Sequence, residues 1–445
     1  MSDAQAPIAE EHYAEYYDAR RLVVDVTAVS GQTLFTGVQR IVRGFAETNV
    51  ADIVLVRFDQ KTRVFRIVPR ISRIRYRGDH GFLGRLRERL KALYWSMSKE
   101  FREQGTKRSW IPRPVRNLAR WFYDSFLSDS HLEREGSLQR RPRWIPKPHQ
   151  TFLLLDIPVA PLHVEALNSL AETGEVRFVA YLHDLMPLSH KHLFPPRFHP
   201  GVRARHLRYL DVIGSVNAVV CNSEFTRTQY LRFTALLEES PDQEVRVVYP
   251  PWPQFARRTD GSTESVADAF GDATLRVLAV GALDVRKNMR VLLDALRVML
   301  SRGEPVHLVV VSGGTASVDP EFNAGMISLT DEERSHLTIL RAVSDDRLVE
   351  LYDGATVVAV PSRAEGFGLP VVESISRGKP VVASDATALP ELATLLPVRL
   401  APPADADAWA DALAAASREG IPADLARQEA FPADWHDFRQ RVVGV

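Results

Sequence analysis

Residues 355–384 read ATVVAVPSRAEGFGLPVVESISRGKPVVAS, and the texture changes three times within them. ATVVAVPS (355–362) is nearly continuous apolar and β-branched sequence, the pattern of a strand covered on both faces. RAEGFG interrupts it, Pro370 stands where a helix is expected to begin, and KPVVAS (379–384) returns to a strand. The unit is therefore strand, turn, helix, strand, with Glu365 in the turn and Glu373 expected in the first turn of the helix. Two glycines, Gly366 and Gly368, let the amides of residues 366 to 369 approach an anion or a hydroxyl closely. Carboxylates beside a helix start stay ionised and accept hydrogen bonds from sugar hydroxyls. The spacing thus suits contacts to two polyols better than a metal site.

The same alternation extends outward in both directions. LRVLAVG (275–281), VHLVVVSGG (306–314) and LTILRAV (337–343) read as further strands of one parallel sheet. In the N-terminal half RLVVDVT (21–27), DIVLVRF (52–58), TFLLLD (151–156), VRFVAYLHD (176–184), NAVVCNS (217–223) and VRVVYP (245–250) read likewise, and TGVQRIVRGFAE (36–47) reads as a helix. Between the halves, residues 250–273 are rich in proline, glycine and polar residues. The expected organisation is α/β, with two doubly wound Rossmann-like domains facing across a cleft. Residues 1–250 form the first, 251–273 a linker, 274–430 the second, and 431–445 a segment that crosses back to the first.

Residues 66–150 break the pattern. Within 81–148 there are 16 Lys or Arg against 7 Asp or Glu, with aromatic residues interleaved. Phe82, Leu86, Leu90, Leu93 and Met97 form an amphipathic stripe, so the segment reads either as a helical insertion packed on the N-terminal half or as a surface for anionic lipid. It carries no RNA-binding motif, and nucleic acid is not expected as a partner.

Composition bounds the class. The chain has 445 residues, 45% hydrophobic and 25% charged, with 56 basic and 56 acidic side chains, so net charge selects no polyanionic or polycationic partner. A single cysteine, Cys221, excludes an internal disulfide framework and fits a reducing compartment. With no apolar leader in the first residues and no long apolar run, a cytoplasmic location is expected, peripheral on the inner face of the membrane if the basic segment binds lipid.

EGFGLPVVE resembles the Glu-x7-Glu motif of glycosyltransferase family 4, retaining enzymes of the GT-B fold. VGALDVRKN (280–288) is similar to that family's phosphate loop, SDDRLVELYDGA (344–355) to the segment before the motif strand, and GKPVVASDATALPEL (378–392) to the segment after it. FTGVQRIV (35–42) and YLHDLMPL (181–188) resemble signatures of a bacterial branch that builds polysaccharides and O-antigens. The resemblance implies transfer of a hexose from a nucleotide sugar to a glycan or lipid-linked acceptor, with mannose from GDP-mannose the leading donor and dTDP- or UDP-sugars the alternatives. It implies that Glu373 binds the ribose, that Glu365 contacts the transferred sugar, and that Gly366, Phe367, Gly368 and Leu369 hold the sugar or diphosphate. Arg286 and Lys287, behind Gly281, would neutralise the departing diphosphate. Where many relatives carry an arginine soon after that glycine, this chain has Ala282. His183 is expected near the anomeric centre. Asp184 reads as an acceptor contact or a cap, Gly37 as a point of approach for phosphate or acceptor, and Arg40 either as a contact for one of these or as a helix-surface pair.

DAD at 405–407 matches a metal-binding Asp-x-Asp pattern, but it precedes AWADALAAA, so Asp405 or Asp407 reads more simply as a helix cap. No metal and no cofactor is expected. The competing readings are a phosphorylase or epimerase on the same fold, a non-catalytic nucleotide-sugar-binding subunit, and an adaptor built around the basic segment.

Overall fold

The computed structural model describes residues 22–28, 37–48, 53–68, 138–139, 141–158, 160–195, 201–236, 243–253, 267–313, 319–341, 343–421 and 428–444. Nearly all of the basic segment, most of the linker, and Phe35 and Thr36 of the first signature lie outside these residues. Among the described residues no helix is long and apolar enough to cross a membrane.

Two sheets carry the chain. The first contains β1 (Leu22–Asp25), β2 (Ile53–Asp59), β3 (Val64–Val68), β4 (Thr151–Leu154), β5 (Arg177–Leu182), β6 (Ala218–Cys221) and β7 (Glu244–Val247), in the order β3-β2-β1-β4-β5-β6-β7. The second contains β8 (Leu275–Val280), β9 (Val306–Ser312), β10 (Leu337–Arg341), β11 (Val357–Val360), β12 (Val381–Ser384) and β13 (Val398–Ala401), in the order β10-β9-β8-β11-β12-β13. Every pairing is parallel except β2 with β3. Interior strands such as β1, β6, β11 and β12 are buried at all positions, which is why their sequences show no alternation.

The helices that position the site are α1 (Gly37–Thr48), α2 (Pro161–Thr173), α3 (Val202–Gly214), α4 (Glu224–Leu236), α5 (Met289–Ser301), α6 (Asp345–Gly354), α7 (Leu369–Ser376), α8 (Leu389–Leu395), α9 (Ala406–Glu419) and α10 (Trp435–Val443). Apolar side chains of α2, α3 and α4 cover one face of the first sheet, and those of α1 and α10 cover the other. The second sheet is covered likewise, by α5 and α9 on one face and by α6, α7 and α8 on the other. In each sheet the strand order reverses once, between β1 and β4 and between β8 and β11. In open α/β sheets ligands settle at the carboxyl ends of the strands flanking such a reversal.

Some elements lie outside the sequence pattern. β3 runs through residue 66, where the pattern breaks, because Val64, Phe65, Arg66, Ile67 and Val68 form an edge hairpin with β2. Residues 142 and 144 pair with its backbone, as Ile67 N–H reaches Pro142 O at 2.9 Å and Trp144 N–H reaches Phe65 O at 2.8 Å. β13 adds an edge strand beyond 384. α7 starts at Leu369 and not at Pro370, because Gly368 adopts φ +111° and caps the turn. Glu373 is consequently the fifth helical residue and lies past the first turn.

The C-terminal helix α10 lies on the N-terminal domain. Phe438 meets Phe45 of α1 at 6.0 Å and Tyr181 of β5 at 5.3 Å between ring centroids. Gly44 provides the room, since a Cβ there would stand 2.2 Å from the Trp435 ring. We expect Gly44→Ala to destabilise the protein by about 1–3 kcal/mol through overpacking, despite a helix-propensity gain of about 1 kcal/mol. Urea unfolding followed by tryptophan fluorescence measures this, and an unchanged or raised midpoint would show that α10 is not tightly seated.

Candidate functional site

The site forms where β8 and β11 lie side by side. Val357 of β11 pairs with Val277 of β8, so the loops after both strands open at the same end of the sheet. Residues 281–288 leave β8 and residues 361–368 leave β11, which brings Lys287 onto Glu365 although 78 residues separate them. A Cβ at Gly281 would stand 3.2 Å from the Lys287 side chain, so glycine leaves that chain its path. Asn288, at φ +53°, turns the loop into α5 and donates to the carbonyls of Pro361 at 2.9 Å and Pro403 at 2.8 Å, tying the two loops together.

Glu365 is 7% exposed and surrounded by donors. Lys287 Nζ and Ser362 Oγ, the latter at 2.6 Å, both donate to Oε1, and Arg286 Nη1 stands 3.4 Å from Oε2. Thr387, at φ +53°, accepts the Glu365 backbone N–H at 2.8 Å. Burial pushes this carboxyl up, but Lys287, Arg286 and Ser362 together outweigh it and hold Glu365 below the usual range. Arg286 is also 3.7 Å from Asp284 and 5.9 Å from the Phe194 ring centroid. Asp284 and Phe194 thus hold the guanidinium beside the loop.

Glu373 belongs to a different arrangement. Its Oε2 accepts from Tyr352 OH at 2.8 Å and its Oε1 pairs with Arg40 Nη1 at 3.0 Å. Arg40 lies on α1 of the opposite domain, and Gly37 begins that helix. The structure therefore brings Arg40 across to helix α7, on the carboxylate that the family resemblance reserves for ribose.

His183 follows β5 and is 3% exposed. Its Nε2 lies 2.6 Å from the Leu155 carbonyl, which can only accept, so Nε2 carries the proton. Burial lowers its pKa, against the pull of that carbonyl and Asp184, and the ring is neutral near pH 7. It is the carbonyl of His183, not the ring, that meets the loop: a Cβ at Gly366 would stand 2.2 Å from it. Asp184 Oδ1 accepts the Met186 N–H at 3.1 Å, the capping alternative for that residue. Phe367 is buried in the core of the second domain against Tyr249, at 5.9 Å between ring centroids. Among the described residues, the amides of Gly366, Phe367, Gly368 and Leu369 meet no acceptor.

Asp405 caps α9 by accepting the Ala408 N–H at 3.0 Å, and Asp407 pairs with Arg302 at 3.0 Å. Among the described residues no cluster of three or more His, Cys, Asp or Glu has the arrangement of a metal site. Sequence reading passed over Ser362, Thr387 and Asn288, whose roles depend on loop conformation, and Tyr352, whose role depends on how α6 packs on α7. It also passed over Asp156 at the end of β4, whose carboxyl burial pushes up to about 7. A cavity of about 410 Å³ lined by Arg63, Trp144 and Glu165 lies elsewhere on the first domain and includes none of these residues.

Residues 274–419 match the family described as Glycosyl transferases group 1. The matched stretch runs from just before β8 to the end of α9. The fold is GT-B: sucrose-phosphate synthase of Thermosynechococcus elongatus superposes over 96% of this chain and 94% of its own, with a TM-score of 0.53 at 18% identity. The O-antigen chain mannosyltransferase B of Escherichia coli is 28% identical over 200 residues, covering 44% of this chain and 51% of that protein. A D-inositol 3-phosphate glycosyltransferase of Nocardia farcinica is 34% identical over 226 residues, 48% of each chain. The chain thus spans about half the length of these curated relatives.

Within this GT-B site, Lys287→Met leaves a buried carboxylate short of its main partner and is expected to cost about 3 kcal/mol at pH 7. The native Glu365 pKa is depressed, so its stabilising contribution is present above the ordinary glutamate value of 4.5 and is lost as pH falls through the native value. In the variant the carboxyl protonates more readily, and the cost should shrink as pH falls from 7 toward 5. Urea unfolding of both proteins across that range checks this, and a cost independent of pH would refute the pairing.

Proposed function

We propose that the protein is a retaining, metal-independent glycosyltransferase that moves a hexose from a nucleotide sugar to a glycan or lipid-linked acceptor. The observation that carries this reading is the convergence of Lys287 and Arg286 on Glu365 beside the unpaired amides of residues 366 to 369. These groups offer two fixed cations, each already paired with a carboxylate, and a row of donors at the reversal of a parallel sheet. A departing diphosphate needs that environment, because preorganised cations stabilise negative charge as it develops. The family match over 274–419 and the similarity to a bacterial mannosyltransferase support it. We take mannose as the leading sugar, in keeping with the name of that relative, and GDP-mannose as the leading donor from the branch that the N-terminal motifs resemble.

In this reading Lys287 and Arg286 receive the diphosphate, and Glu365 orients the transferred sugar. Glu365 is not assigned as a covalent nucleophile, since Lys287, Ser362 and Arg286 occupy its oxygens. The acceptor hydroxyl attacks the face from which the diphosphate departs and passes its proton to a phosphate oxygen, through an oxocarbenium-like transition state. Closure of the two domains keeps water out and limits donor hydrolysis. Glu373 exchanges Arg40 for the ribose, and Arg40 is then available to the diphosphate. A peripheral place on the cytoplasmic face of the membrane, with contact through residues 81–148, completes the proposal.

The test is turnover of nucleotide sugars with chelator present, followed by NMR of the product's anomeric centre. Donor consumption with retained configuration is expected, and Glu365→Gln should lower kcat by roughly a hundredfold or more. Binding without turnover would instead identify a nucleotide-sugar-binding subunit. Inverted configuration would refute the retaining mechanism.

A further inference from the structure

The start of α4, in the N-terminal domain, grips the second domain at two points. Ser223 Oγ donates to the Gly366 carbonyl at 2.6 Å, and Thr226 Oγ1 lies 3.2 Å from the same oxygen. Gly366 is the residue after Glu365, and its α-carbon abuts the His183 carbonyl, which Thr226 Oγ1 also approaches at 3.4 Å. One peptide group of the donor loop is therefore held between the ends of β5 and β6, both of which belong to the opposite domain.

The second grip runs the other way. Both carboxylate oxygens of Glu391, in the first turn of α8, accept backbone N–H groups at the start of α4: Glu224 at 2.9 Å and Phe225 at 3.1 Å. Tyr249, which follows β7 near the linker, donates its hydroxyl to Glu391 at 2.8 Å. Helix N-termini leave exactly such amides without intrahelical acceptors and favour negative charge, so a carboxylate from the other domain satisfies two of them at once. Neither Ser223, Thr226 nor Glu391 has a place among the donor contacts assigned above.

We propose that residues 223–226 and Glu391 form a clasp between the domains that sets the donor loop in its working position when the protein closes. These are positioning residues. Ser223 and Thr226 fix the orientation of the Gly366 peptide, which fixes where Glu365 stands relative to Lys287. Glu391 holds the start of α4 in register with the loop, so the clasp makes placement of Glu365 conditional on closure. Nucleotide binding, which falls mainly to the second domain, does not require it. The inference rests on the transfer reading for its kinetic consequences, but the contacts themselves predict a change in shape that does not depend on activity.

The experiment compares the protein with Glu391→Gln, with Ser223→Ala combined with Thr226→Val, and with Thr226→Ser as the conservative control. Small-angle X-ray scattering reads closure, and donor turnover reads kcat and KM. In Glu391→Gln one carboxylate oxygen becomes an amide donor facing the helix amides, so the domains should part and the radius of gyration should rise. The double variant should do the same, and Thr226→Ser should match the wild type. For both disruptive variants kcat should fall roughly ten- to a hundredfold with donor KM changed less than threefold, the size expected for lost charge-assisted or buried hydrogen bonds. A merely structural role would lower the yield of folded protein and leave kcat per folded molecule intact. Unchanged scattering profiles in both disruptive variants overturn the clasp. If the wild type turns over no donor the transfer reading fails, and the scattering comparison still decides the clasp.

Discussion

A carboxylate buried at the end of a parallel sheet is the constraint from which the arrangement of this site follows. Removing such a charge from water costs several kcal/mol unless cations and hydrogen bonds replace the lost hydration. Glu365 obtains that replacement from Lys287, Arg286 and Ser362, which arrive on two loops from neighbouring strands. The pairing of β8 with β11 makes the encounter unavoidable, and Asn288 locks the two loops to one another. A region thus emerges in which two cations are fixed on carboxylates, close to amides that meet no acceptor among the described residues. Those are the properties a phosphate-bearing ligand requires.

The second glutamate connects the halves. Arg40 is about one-third exposed and Glu373 is buried, so their pair ties the two domains together while its cationic partner stays open to water. The hydrogen bonds from Ser223 to Gly366 and from the start of α4 to Glu391 add to it. Closure and loop placement are consequently aspects of one set of contacts, and α10 anchors the far end of the chain on the first domain.

Much of this was legible in the sequence because buried parallel strands are written as uninterrupted Val, Leu and Ala. VVAV at 357–360 and VVAS at 381–384 could hardly be anything else. The edge strands β3 and β13 were harder, since an edge needs less apolar sequence and Arg66 and Arg399 stand inside them. The position of Glu373 was misjudged by part of a turn because the left-handed backbone of Gly368 moves the helix start to Leu369. The motif residues Glu365 and Lys287 could be named from their local patterns. Ser223, Thr226 and Glu391 could not, because each acts on a residue more than 130 positions away and depends on how the domains meet. For His183, the pattern located the residue but not the fact that its carbonyl, rather than its imidazole, faces the loop.

Under the proposed function, the loop at Glu365 and the start of α7 receive a nucleotide sugar without a metal. Calorimetric titration of the wild-type protein with a panel of nucleoside diphosphates and their sugars, with chelator present, tests it most directly. The account predicts saturable binding of one base class, unaffected by the chelator. Failure of every member of the panel to bind, or binding that appears only when a divalent ion is restored, would contradict it.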